Sequence, residues 1–180
     1  MNALQTGSPR QTTRLTNAVL VAAILTTGLV TGVEFLYATT IMPGLHDLDD
    51  KTFVAAFQAI DKAIMNPFFM GSFFGAVVLT AVAAFQHRGP ALRGALPWLI
   101  AAAVLYFLGV AITMAVNVPL NDALKAAGDP GHIANIAKVR HDFHESRWVA
   151  WNIVRTLLSL ASFGILSWVA VAYRARRTAA

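Results

Sequence analysis

The stretch Arg147-Trp148-Val149-Ala150-Trp151-Asn152-Ile153-Val154-Arg155-Thr156 opens the last long apolar run of the chain. Read as a helix, it puts Trp148, Trp151, Asn152 and Arg155 on one face, because residues three, four and seven apart are neighbours. No charge follows Arg155 until Arg174. Arg155 therefore sits at or just inside the rim of a membrane helix. A guanidinium there is costly and is kept facing a partner or a polar cavity. This face is expected to form one wall of a site.

The rest of the chain agrees with a membrane reading. It has 180 residues, 57% hydrophobic and only 13% charged, with a mean hydropathy of +0.59. Four runs, Leu15–Tyr37, Asn66–Phe85, Ala95–Val116 and Trp148–Tyr173, are long enough to cross a hydrocarbon core of about 30 Å. The expected fold is all-α: a four-helix transmembrane bundle with amphipathic helices in the 1–2 and 3–4 outer loops. Residues 15–173 make one membrane domain between a disordered tail, 1–14, and a basic tail, 174–180. The first run is longer than a signal-peptide core, and no small-x-small site follows it, so it is expected to be retained.

Cysteine is absent, which excludes disulfides, Fe–S clusters and thiolate chemistry. The net charge of +5 gathers at segment ends rather than pointing to nucleic acid. Arg10 and Arg14 precede the first span, His87, Arg88 and Arg93 fill the short 2–3 loop, and Arg174, Arg176 and Arg177 close the chain. The 1–2 connection is acidic, with Asp47, Asp49, Asp50 and Asp61 against Lys51 and Lys62. By the positive-inside rule both termini and the 2–3 loop are expected in the cytoplasm of a cell-membrane protein. No span carries a histidine, which argues against a b-type haem between the helices.

Several motifs stand at span ends. Gly28 and Gly32, and again Gly71 and Gly75, are GxxxG pairs expected to pack spans one and two together. Glu34 has apolar flanks near the outer end of span one, so it needs a partner unless it reaches interfacial water. Met42-Pro43-Gly44-Leu45 is expected to break the helix. Phe53, Phe57, Ile60 and Ile64 then recur at helical spacing within Asp49–Ile64, as in an amphipathic interfacial helix. Asn66-Pro67 reads as an N-cap and first helical residue; capping suffices for Asn66, with a ligand role open beside it. In Asn117-Val118-Pro119-Leu120-Asn121, Pro119 is expected to stop or kink span three. If the helix continues, Asn117 and Asn121 share a face that suits a ligand, or the carbonyls that the proline frees. A further helix is expected from His132. On it His141 and Glu145 stand at i, i+4 and could share a metal, although the spacing is not HExxH and a solvated interfacial helix looks the same.

Glu34, Asn66, Asn117, Asn121, Asn152 and Arg155 all fall in the outer half of the expected topology. Polar groups at membrane depth find one another, because unpaired they cost several kcal/mol. They are therefore expected around one outward-opening cavity. In a catalytic reading Glu34 is a general base, and Arg155 with Asn152 or Asn117 stabilises an enolate or phenolate. Asn66, Asn117, Asn121, Trp148 and Trp151 then bind the substrate, the two indoles stacking on a ring. The alternative is a non-catalytic quinone- or lipid-binding, or accessory, membrane protein in which Glu34 and Arg155 clamp span one to span four. The inner halves of the spans offer no polar path, which disfavours transport.

Met42-Pro43-Gly44-Leu45, Asn66-Pro67, Asn117-Val118-Pro119-Leu120-Asn121 and Arg147-Trp148-x-x-Trp151-Asn152-x-x-Arg155-Thr156, in that order and spacing, resemble the DUF1772 or anthrone oxygenase family from about Gly28 to the end of span four. The resemblance implies a small four-helix membrane protein with oxygenase-like activity on an anthrone or similar aromatic or polyketide-like substrate. A deprotonated anthrone reacts with O2 directly, so no cofactor is required. A metal is unsupported by any motif, and metal-assisted oxygenation stays open beside the cofactor-free reaction. The partners implied are a small aromatic or lipid-like molecule and the membrane, with homo-oligomerisation left open.

Overall fold

The computed structural model describes residues 9–90 and 92–178. Every regular element among them is helical. In chain order these are α1 (Pro9–Leu36), a π-helical turn π1 (Tyr37–Ile41), α2 (Met42–His46), α3 (Asp50–Ile64), α4 (Pro67–Gln86), a 3-10 turn at Arg93–Ala95, α5 (Leu96–Ile112), a second π-helical turn π2 (Thr113–Asn117), α6 (Val118–Ala126), α7 (Ile136–Asp142) and α8 (Glu145–Thr178). Four helical stretches are long and apolar enough to cross a membrane: Arg14–His46, Pro67–Gln86, Arg93–Ala126 and Ile136–Ala172. The protein is thus an integral membrane four-helix bundle. Leu25, Leu29, Phe68 and Val171 are more than half exposed on its outside, as residues that meet lipid should be.

The expected breaks at Pro43 and Pro119 do not occur. A proline inside a helix has no N–H to donate, and its ring crowds the carbonyl four residues back. Here a π-helical turn precedes each proline, and both prolines then fall in the first turn of the next helix. Widening the helix by one residue relieves the clash without ending the helix. The first and third membrane helices therefore run on past the bilayer core, to His46 and Ala126.

In the bundle α1 packs on α4 and α8, and α5 packs on the same two. One end, near the α4–α5 loop, is filled by alanines and larger aliphatic residues, with Ala23, Ala95, Leu99, Ala102 and Leu166 fully buried. There the Ser162 hydroxyl donates to Ala102 O at 2.8 Å. At mid-depth Val30, Phe73, Ala76 and Tyr106 pack together, and Tyr106 Oη donates to Phe73 O at 3.0 Å. The opposite end is capped. Asp49 starts α3 by accepting from the backbone N–H groups of Lys51 and Thr52, and the Thr52 hydroxyl above all holds its carboxyl below the ordinary value. The amphipathic face of α3 then buries Phe53, Val54 and Phe57 against Tyr37, Met42, Leu124, Phe143 and Trp148. Gln58 ties α3 to α6 through Leu124 O at 2.9 Å and Gly128 O at 3.0 Å.

Four expectations need correction. The GxxxG pairs do not join spans one and two. A Cβ at Gly28 would meet the Phe163 ring of α8 at 2.9 Å, and Gly32, Gly71 and Gly75 face open space. The helix expected from His132 starts at Ile136 and stops at Asp142, where His144 takes a positive φ of 51° before α8 begins. The first helix begins at Pro9, inside the stretch expected to be a disordered tail; residues 1–8 lie outside those described, as does the end of the basic tail. The fourth helix continues to Thr178.

Candidate functional site

Where α1, π2 and α8 meet, beneath the cap, the sequence leaves a set of polar side chains with no water to solvate them. Glu34 is 3% exposed, Asn117 1%, Asn152 0% and Arg155 8%. Such groups must satisfy one another, and Asn152 is the hub. Its Oδ1 accepts from Arg155 Nε at 3.0 Å and Nη2 at 2.8 Å. Its Nδ2 donates across to Glu34 O at 3.1 Å. Asn152 and Arg155 are three apart on α8, so one helix face presents both.

The third close contact of Arg155 is with Thr113 in π2, whose Oγ1 accepts from Nη1 at 2.9 Å and itself donates to Gly109 O. α5 passes close to α8 here: a Cβ at Gly109 would make ordinary contact with Ser159 Oγ at 3.4 Å and Arg155 O at 3.6 Å. The Glu34 carboxylate is the more distant partner, with Oε1 3.9 Å from Arg155 Nε. Ser159, also buried, faces that carboxylate. The charge pair expected between the first and fourth spans is therefore formed, but as a loose ion pair beside a tight amide–guanidinium contact. Two acceptors in this region, Glu34 Oε2 and Asn117 Oδ1, are buried with no hydrogen-bond donor.

A wall of aromatics closes the network toward the cap. The Trp148 ring centroid lies 5.5 Å from Arg155 Cζ and 5.6 Å from that of Tyr37. Asn117 and Asn121, one turn apart on the continuous helix, hold this residue from both ends. Asn117 Nδ2 donates to Trp148 O at 3.1 Å, and Asn121 Oδ1 accepts from Trp148 Nε1 at 2.7 Å. Asn121 Nδ2 donates in turn to Asp61 Oδ1 at 2.8 Å.

The structure thus brings together Glu34, Asn117, Asn121, Trp148, Asn152 and Arg155, and leaves out two expected members. Trp151 is 38% exposed on the outer side of α8; three residues from Trp148, it is rotated far enough to miss the interior. Asn66 is exposed and caps α4, accepting from Phe69 N at 3.0 Å and donating to Ala63 O at 3.0 Å. The polar residues are packed against one another rather than spread around an open hollow. The wide cleft at the capped end is walled instead by His46, Asp50, Arg140, His141, His144 and Arg147. His141 and Glu145 are not neighbours on one helix, because α7 ends between them. Glu145 pairs with His46 Nδ1 at 2.8 Å and with Arg140 at 3.6 Å, and His141 lies on Asp142. Among the described residues no group of three or more His, Asp or Glu is placed to hold a metal. Thr113, Tyr37 and Asp61 are the contributors that the sequence reading missed. Thr113 was findable one turn before Asn117, whereas nothing local marks Asp61.

The fold and this site define a four-helix integral membrane protein whose spans enclose a fixed polar network around a buried arginine. A family model described as anthrone oxygenase matches residues 68–165, more than half of the chain. The chain belongs to the anthrone oxygenase family, and at that level it is a membrane oxygenase-like protein. No curated protein and no solved structure matches it.

Proposed function

We propose that this protein oxidises an anthrone, or an aromatic ketone with a similarly acidic ring C–H, to the quinone with O2. Glu34 takes the ring proton as general base. The charge that then spreads onto the ketone oxygen is met by Arg155, which Asn152 and Thr113 hold in place. Trp148 offers a ring to stack on, and Asn117 and Asn121 fix it. In the balanced reaction one anthrone and one O2 give one anthraquinone and one water, so one oxygen atom enters the product. The electron-rich carbanion supplies the electrons itself, and the reading calls for neither an organic cofactor nor a metal. Asn66 and Trp151 take no part in it. Arg88 and Arg93 at the α4–α5 loop support placing that loop and both termini in the cytoplasm, with the network toward the outer leaflet.

The observation that carries the reading is Glu34 Oε2, buried without a donor. An unpartnered acceptor at this depth is expensive, and a substrate hydrogen delivered to it would relieve the cost. A second reading keeps Glu34 and Arg155 as a structural clamp in a quinone- or lipid-binding protein; the close packing of Arg155 between Asn152 and Thr113 favours it. Oxygen uptake by the purified protein in nanodiscs, with anthrone as substrate, separates the two. Catalysis gives anthraquinone and O2 consumption in a one-to-one ratio, above the rate in empty nanodiscs. A rate equal to that background would leave only the clamp.

A further inference from the structure

We infer that Asp61, on the interfacial helix α3, is a positioning residue for Trp148 and acts on it through Asn121. An indole N–H can only donate. It needs the oxygen of the Asn121 amide, which it finds at 2.7 Å. An amide is nearly symmetric in shape, and turned over it would present its NH2 group to the indole, donor against donor. What decides the orientation is the other end of that amide. Asn121 Nδ2 meets Asp61 Oδ1 at 2.8 Å, and an ionised carboxylate only accepts. The carboxylate thus fixes the amide, and the amide fixes the ring that lies over Arg155. Asp122 and Lys125 of α6 also bear on Asp61 electrostatically, with opposite sign, so neither replaces its role as acceptor.

The same helix supplies a control. Gln58, three residues earlier, also ties α3 to α6, but through the backbone oxygens of Leu124 and Gly128 and without touching Asn121. Losing Gln58 loosens the docking of α3 and leaves the relay in place. Losing the Asp61 acceptor frees the amide.

The test is hydrogen exchange of the Trp148 indole N–H in the full-length protein, followed by NMR of 15N-tryptophan-labelled samples and assigned by Trp148→Phe. Asp61→Leu is expected to speed exchange roughly five- to tenfold, the worth of one lost hydrogen bond. Asp61→Asn keeps an acceptor oxygen and is expected within about twofold of wild type, as is Gln58→Leu. If Asp61→Leu does not fold, Asp61→Ala carries the same comparison. Wild-type exchange in the variant without an acceptor, or equal acceleration in Gln58→Leu, would overturn the inference. A second arm rests on the function proposed above: KM for anthrone should rise in Asp61→Leu and not in Asp61→Asn. Because exchange is read without turnover, an inactive wild type would sink the proposed reaction and leave the positioning role standing.

Discussion

Replacing Asn152 by leucine removes the hub of the buried network at nearly constant volume. Arg155 would lose two of its three close contacts, those at 3.0 and 2.8 Å, and keep only Thr113 and the carboxylate at 3.9 Å. The bond to Glu34 O, which joins α8 to α1, would also go. A hydrogen bond to a charged group contributes about 1.5–3 kcal/mol. One between membrane helices averages only ~0.6 kcal/mol, because separated helices find other partners in the bilayer. Two of the first kind at the low end and one of the second give a loss of roughly 3 to 4 kcal/mol. Asn152→Asp keeps the acceptor for Arg155 but sets an oxygen against Glu34 O in place of the donor, so it should recover part of that loss and not all of it. Unfolding in mixed detergent–SDS micelles measures both. An Asn152→Leu variant within about 0.5 kcal/mol of wild type would refute the view that this amide holds the arginine.

Three further outcomes follow from the same structure. Gly28→Leu should cost about 1–3 kcal/mol, since its first carbon already meets the Phe163 ring at 2.9 Å; Gly32→Ala, with nothing within 4 Å, should be neutral or better, up to about 1 kcal/mol. Equal melting of the two variants would contradict the assignment of Gly28 to the α1–α8 contact. Burial raises the Asp61 carboxyl above its ordinary value, against the opposing bond from Asn121. Its folded value then lies above its unfolded one, so its contribution is full below the unfolded value and is lost as pH rises through the folded value. Asp61→Asn should therefore gain on wild type as pH climbs from below the ordinary value of 3.8 toward neutrality, and a constant difference across that window would speak against it. Asp49 has the opposite sign: its carboxyl is lowered, so the stability it lends to α3 is lost as pH falls through its folded value, and Asp49→Asn should flatten that loss.

The spans, the interfacial helix α3 and the meeting of Glu34 with Arg155 could all be read from residue types and spacing. A long apolar run has few alternatives in lipid, and polar groups within it must converge. Local backbone geometry was less legible. Pro43 and Pro119 are ordinary helix breakers in water, and nothing nearby announces that a π turn will absorb each of them. The break at His144 is equally silent, and it undid the pairing of His141 with Glu145. Helical spacing placed Trp148 and Trp151 on one face, but a tilt of α8 by part of a turn puts one indole inside and the other against lipid. Asp61 was invisible because its importance comes from a partner sixty residues away.

If Glu34 is the base of the proposed reaction, its charge is needed for turnover and not for folding. Turnover of anthrone by Glu34→Gln, in nanodiscs beside wild type, decides this. Arg155 keeps its contacts to Asn152 and Thr113 in this variant, so it should melt as a folded bundle. Its rate is expected to fall by about a hundredfold or more. A folded Glu34→Gln variant turning over anthrone at the wild-type rate would contradict it.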